Sequence, residues 1–271
     1  MNFRLLSLSV AAITFSVTAI ADTVTKPEPS STTETKSTSD WTGVYVGVYV
    51  GGATGSEVSN SEARYNDGAL WNGPSDLDNN YSAKAGLIGG GTVGYNWQIG
   101  ESPYLIGLEG EYGYLSQKGS KNDPNAPTWS AANPDWPADN TKSSTSIGAD
   151  YGYGLVGARL GYALDRSLIF IKSGAVFTAV NSSWSDTVYD QNGTSNKATT
   201  TGYALGAGFE YAMPFKFFAN VTVKTEYLYF GIPTDTTIVS TGVDNDGPFS
   251  VTVNQTTSGI HTAKIGVNYK F

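Results

Sequence analysis

From Trp41 to Phe271 apolar and polar residues alternate with a period of two, and the 3.6-residue period of an amphipathic helix is absent. Eight segments carry the alternation: 41–52, 84–97, 103–115, 148–163, 168–180, 199–212, 217–230 and 257–271. No apolar run in this region approaches the ~18 residues of a membrane-spanning helix. The gaps between segments alternate in length. Those at 53–83, 116–147, 181–198 and 231–256 are long and rich in Asn, Asp, Ser, Thr, Gly and Pro. Those at 98–102, 164–167 and 213–216 are short and carry turn chemistry: Gly100 with Pro103, Asp165-Arg166, and Pro214. Structureless loops beyond about 12–15 residues are uncommon in compact soluble domains. Long outer loops and short periplasmic turns are the rule in outer-membrane barrels. The segments also have the length of membrane strands, about 9–11 residues, rather than the five or six of soluble strands. The predicted fold is therefore all-β: an eight-stranded antiparallel up-and-down transmembrane β-barrel over 41–271. An even strand number puts both of its ends on one side, the periplasmic one.

The parity of the pattern separates two faces. In 103–115, Tyr104, Ile106, Leu108, Tyr112 and Tyr114 share one face; Glu109 and Glu111 lie on the other, beside Gly107 and Gly113. In 217–230, Ala219, Val221, Val223, Tyr227 and Tyr229 oppose Asn220, Thr222, Lys224 and Glu226. In 257–271, Ala263, Ile265, Val267, Tyr269 and Phe271 oppose Lys264, Asn268 and Lys270. A soluble sandwich alternates in the same way with its apolar face inward. Two features favour the inverted arrangement. The apolar face ends in aromatics at both strand ends, with Trp97, Tyr104, Tyr162 and Phe271 at the turn side and Tyr114, Tyr203 and Tyr229 at the loop side, as two interfacial girdles would. The polar face is charged and balanced: Glu109, Glu111, Glu210 and Glu226 against Arg159, Lys172, Lys224 and Lys264. An eight-stranded barrel is only wide enough for side chains to fill, and charges buried there must pair. These eight residues are the expected salt-bridged plug; on the sandwich reading they are solvated surface charges.

Composition narrows the chemistry. The 271 residues carry a formal net charge of −8, no cysteine, and one histidine. The absence of cysteine excludes a disulfide framework and a thiolate metal site. The acidic balance argues against a nucleic-acid partner. No nucleophile–base spacing suggests an enzyme, and no cofactor or metal motif stands out. The Gly-rich run 89–91 lacks the following helix and lysine of a phosphate loop, so close strand packing accounts for it better. Loops 53–83 and 231–256 are acidic, read as solvated surface or as cation or partner capture.

Residues 1–21 carry one positive residue, Arg4, an apolar run from Leu5 to Ile20, and Ala19-Ile20-Ala21 before Asp22. This is a secretory signal peptide, with a membrane anchor as the alternative. Residues 22–40 hold one Val and no other large apolar residue, which predicts a flexible periplasmic tether, or a processed pro-segment. At the other end, Val267, Tyr269 and Phe271 stand in register on one face. Tyr269 and Phe271 resemble the C-terminal signal by which the barrel-assembly machinery recognises its substrates for insertion.

Several strings together resemble a known family. They are Trp41-Thr42-Gly43-Val44-Tyr45-Val46-Gly47, Gly89-Gly90-Gly91-Thr92-Val93-Gly94-Tyr95-Asn96-Trp97-Gln98 and Gly107-Leu108-Glu109-Gly110. Later come Arg159-Leu160-Gly161-Tyr162-Ala163, Gly202-Tyr203-Ala204-Leu205-Gly206-Ala207-Gly208-Phe209-Glu210-Tyr211 and Lys264-Ile265-Gly266-Val267-Asn268-Tyr269-Lys270-Phe271. The set resembles the small outer-membrane β-barrels of alphaproteobacteria, which include major surface antigens and proteins called hemin-binding or porin-like. The resemblance implies an outer-membrane location in a Gram-negative envelope and outer-membrane lipid as a partner. The expected function is that of an integral, surface-exposed, porin-like barrel with at most a narrow pore. Hemin binding by the outer loops is the alternative that the resemblance implies. Haem iron takes His, Met, Cys or Tyr as axial ligand, and the single histidine, His261, near the loop end of the last strand, is the candidate. Its plainer reading is an outward-facing residue at the membrane interface. Loop aromatics Tyr65, Trp71, Trp129, Trp136 and Trp184 could stack on a porphyrin or pack the loops together.

Overall fold

A computed structural model describes residues 40–66, 69–70, 80–122, 142–147, 152–186, 191–192, 196–244 and 247–271. In chain order the strands are β1 (Gly43–Thr54), β2 (Glu57–Asn66), β3 (Ala69–Leu70), β4 (Tyr81–Ser82) and β5 (Gly86–Gln98). Then follow β6 (Tyr104–Asn122), β7 (Lys142–Ile147), β8 (Tyr153–Leu164), β9 (Ser167–Asp186) and β10 (Gln191–Asn192). The last are β11 (Asn196–Ala212), β12 (Val221–Gly231), β13 (Thr234–Asp244), β14 (Gly247–Thr257) and β15 (Ile260–Lys270), with one 3₁₀ turn at Lys216–Phe218. The expected leader and nearly all of the expected tether lie outside the described residues, as do Trp71, Trp129 and Trp136.

Among the described residues, β1, β5, β6, β8, β9, β11, β12 and β15 pair in that order, each antiparallel to the next. The ring closes where β15 pairs back onto β1, from Tyr45 opposite Lys270 to Thr54 opposite His261. Closure satisfies every ladder edge at membrane depth, the condition for strands to cross a bilayer. The turns at one rim are short. The chain reverses between β8 and β9 through Asp165 and Arg166 alone, with Asp165 at a φ of 53°. Aspartate enters this left-handed region more readily than most residues do.

Alternation sets the two faces. Along β15, Ile260, Thr262, Lys264, Gly266 and Asn268 point inward, and His261, Ala263, Ile265, Val267 and Tyr269 point outward. Along β1, Val44, Val46, Val48 and Val50 are exposed while Tyr45, Tyr49 and Ala53 are buried. The exposed band continues through Val93, Leu108, Val156, Leu160, Ile169, Ile171, Leu205 and Ile265. A water-facing surface this apolar would drive association; a lipid-facing one requires it.

At the opposite rim the ladder runs past the bilayer. β6 and β9 reach 19 and 20 residues, about twice what a membrane strand needs. β7 takes the place of β8 between the same two neighbours. Beyond Gly55-Ser56, Ile232-Pro233 and Ser258-Gly259, three barrel strands resume as a second sheet in the order β13–β14–β2. These residues were expected to be loop. Stretches such as Thr234–Val243 keep the period of two, but Ser and Thr stand where the membrane strands carry Val, Leu and Tyr. Outside lipid neither face needs large apolar groups, so a reading keyed to an apolar face passes over them. The segment expected at 217–230 is corrected likewise: its start is turned into the 3₁₀ element, and β12 begins at Val221.

Candidate functional site

The inward positions of adjacent strands converge on one layer of charge. β6 supplies Glu109 and Glu111, two residues apart and so on one face. Arg159 comes from β8, Lys172 from β9, Glu210 from β11, Lys224 and Glu226 from β12, and Lys264 from β15. All eight side chains are buried.

Their ends meet in the middle of the barrel. Lys172 Nζ lies 2.5 Å from Glu109 Oε1, donates to Glu111, and is 3.4 Å from Glu226. Lys224 Nζ donates to both oxygens of Glu109 at 3.0 Å. Lys264 Nζ bridges Glu111 at 2.8 Å and Glu226 at 2.7 Å. Arg159 reaches Glu210 at 3.1 Å and Glu109 at 3.7 Å, and its Nε donates to Asn96 at 2.9 Å. Glu210 also accepts from Asn268 Nδ2 at 2.8 Å and from the Thr222 hydroxyl. Four acids against four bases leave the layer neutral. The carboxylates of Glu109, Glu111 and Glu226 converge within 4.8 Å, close enough to share a divalent cation. The three lysine ammoniums already supply that positive charge.

Tyrosines that the sequence reading did not single out complete the layer. Tyr45 donates to Glu109 at 2.5 Å; Tyr153 donates to Glu111 at 2.8 Å and is joined to Tyr49 at 2.7 Å. The Arg159 guanidinium sits 4.7 Å from the Tyr45 ring centroid and 5.1 Å from that of Phe170, and Lys264 Nζ sits 4.8 Å from that of Tyr49. Such placements add cation–π attraction where water is excluded. A signal for them existed: Val44, Val46, Val48 and Val50 face outward, so Tyr45 and Tyr49 must face in.

The glycines of β5 make room for these rings. A Cβ on Gly94 would come within 2.7 Å of Tyr45 Cε1, and one on Gly90 within 2.7 Å of Tyr49 Oη. Gly94→Ala is therefore expected to push Tyr45 off Glu109 and cost about 1–3 kcal/mol, the usual range for overpacking. Urea unfolding of the refolded barrel measures it, and an unchanged midpoint would contradict the packing described.

The charged layer is capped above and below by apolar side chains. On the turn side Trp41, Leu105, Ala163, Leu168 and Phe170 cluster, with Ala212 against them. On the loop side Ile88, Leu115, Leu155, Val176, Val180, Leu228, Phe230, Ile232 and Ile260 cluster with Tyr49 and Tyr153. β9 shows the order along one strand: Phe170, then Lys172, then Val176, all buried. A hydrated ion crossing the lumen would meet two desolvating layers and, between them, a layer in which every acid faces a base.

His261 takes no part in this layer. It is exposed on the outer face of β15. Its Nδ1 is 2.6 Å from Tyr227 Oη, and its ring is stacked with that of Tyr227 and 5.1 Å from that of Tyr229. This places it within the loop-side aromatic girdle. Tyr269 and Phe271 pack edge-on at 5.2 Å at the opposite rim, where the Phe271 N–H donates to Val44 at 2.9 Å.

Residues 8–271 match the family described as outer membrane protein beta-barrel domain. The chain is 30% identical over 269 residues to the 31 kDa outer-membrane immunogenic protein of Brucella melitensis biotype 1, covering 97% of each chain. The protein of the same description from Brucella suis biovar 1 matches with the same identity and coverage. The crystal structure of the outer membrane protein OprG from Pseudomonas aeruginosa is similar at 13% identity over 85% of this chain and 97% of that one, with a TM-score of 0.41.

Proposed function

Because the chain belongs to the outer membrane protein beta-barrel domain family, we propose that this integral outer-membrane protein is a sealed wall element that displays an extended strand platform at the cell surface. The observation that supports this most is the lumen: a neutral layer of eight paired charges between two apolar caps. A diffusion porin keeps a water-filled channel, whereas here side chains fill the eight-stranded interior. This reading assigns the barrel no catalytic role and no resident cofactor. His261 lies on the lipid-facing side of β15 beside Tyr227 and Tyr229, which gives hemin ligation by the outer loops no support. The outward face of β15 with Tyr269 and Phe271 is what the barrel-assembly machinery would contact.

The platform consists of β2, β13 and β14 together with the outer parts of β6, β9 and β11. The Brucella relatives are described as immunogenic, which suits strands standing clear of the membrane. An epitope tag spliced between Asp244 and Gly247, at the β13–β14 reversal, is expected to be stained by antibody on intact cells. Staining only after permeabilisation would contradict the orientation.

A further inference from the structure

The turn between β11 and β12 differs from the other short turns. It spans Met213–Asn220 and carries three exposed phenylalanines: Phe215, Phe217 and Phe218 are 63%, 98% and 53% accessible. The other two short turns among the described residues, Ile99–Pro103 and Asp165-Arg166, carry none. A phenylalanine left almost wholly bare is costly in water, and three on one turn make a patch that calls for a partner.

The turn is also held in shape. The Phe218 N–H donates to Phe215 at 2.9 Å, closing the 3₁₀ turn, and the Met213 N–H donates to Val221 at 3.0 Å. Arg166 Nη1 is 3.4 Å from the Met213 carbonyl, and the Lys270 N–H donates to Asn220 at 2.8 Å. The phenylalanines are thus presented by a fixed corner of the rim. Phe209 and Tyr211 on β11 and Tyr269 on β15, which pairs with Val221 just after the turn, are exposed on the outer barrel surface, as is Phe271, so the turn adjoins the lipid-facing band. Its charged neighbours are Lys216 within the turn, Arg166 and Lys270 beside it, Asp165 next to Arg166, and Asp40, whose carbonyl accepts from Lys270 Nζ.

We propose that the β11–β12 turn is an anchor that inserts into the periplasmic leaflet of the outer membrane, with Phe215, Phe217 and Phe218 at the boundary of headgroups and acyl chains and Lys216 and Arg166 on lipid phosphates. Aromatic side chains with basic residues beside them are the composition that a phospholipid interface favours. The barrel is then held more firmly at this corner than at the other two short turns, which carry no phenylalanine.

The absence of cysteine in the chain makes the test direct. Phe217→Cys and, as the water-exposed comparison, Glu101→Cys are each labelled with a nitroxide. The proteins are refolded into vesicles of phosphatidylethanolamine with phosphatidylglycerol, and folding is checked by the mobility of unheated protein in a denaturing gel. The label at 217 is expected to be several-fold more accessible to oxygen than to a water-soluble nickel complex, and the label at 101 the reverse. Adding Phe215→Ser and Phe218→Ser is expected to move the 217 label toward water. Equal nickel accessibility at 217 and 101 would overturn the anchor, because pure lipid vesicles offer no protein partner to cover the patch. A 217 label that stays deep in the serine background would overturn the role given to the phenylalanines.

Discussion

Replacing Glu109 with Gln is expected to lower the stability of the barrel by about 3–5 kcal/mol, the cost of stranding buried charge. Glu109 is the point where three cations meet: Lys172 at 2.5 Å, Lys224 at 3.0 Å and Arg159 at 3.7 Å. It also accepts from Tyr45. The substituted amide keeps the size of the side chain and removes the charge, so packing is nearly unchanged while the layer gains a net positive charge. Water cannot enter to compensate, because the caps at both ends are apolar. Urea titration of refolded protein, followed by tryptophan emission, measures the loss. Glu101→Gln, on an exposed turn, is expected to stay within about 0.5 kcal/mol. Adding Lys224→Met to Glu109→Gln is expected to recover part of the loss, since contacting charges do not act additively. A Glu109→Gln barrel as stable as the parent would mean the layer is solvated.

Val48→Arg is expected to cost about 2–4 kcal/mol, as a cation near the middle of a lipid-facing band does. Val48 lies half-way along β1, opposite Val267 and Gly91, and is 67% exposed. On a water-soluble protein the same change at so exposed a position would fall within about 0.5 kcal/mol. Unfolding in lipid vesicles separates the two cases. A negligible effect would contradict the placement of this face in the bilayer.

The barrel was legible because membrane strands obey two rules at once. Their outward positions must be apolar and their inward ones must not be, so parity alone assigns Val44, Val46, Val48 and Val50 to lipid and Glu109 and Glu111 to the lumen. The outer strands obey only one of these rules. In β13 and β14, Thr, Ser and Asn occupy both parities, and the alternation loses the contrast that reveals it. The caps were hidden for a related reason. Leu105, Leu115 and Leu155 fall on the inward parity, and a face judged by its charges conceals the apolar residues at its ends. The lumen tyrosines were obscured by their abundance, because most exposed tyrosines do belong to the girdles. Which acid meets which base was beyond the pattern altogether. Lys224 and Glu109 are 115 residues apart in sequence and lie on strands that do not pair; closure of the barrel brings them together.

Whether the lumen is sealed is read by planar lipid bilayer recording of the purified, refolded barrel. A sealed barrel passes no more current than bare lipid, at any potential the bilayer withstands. Reproducible ohmic steps that scale with salt concentration would contradict it, since ions would then be passing the layer between Trp41 and Phe230 that the caps are held to close.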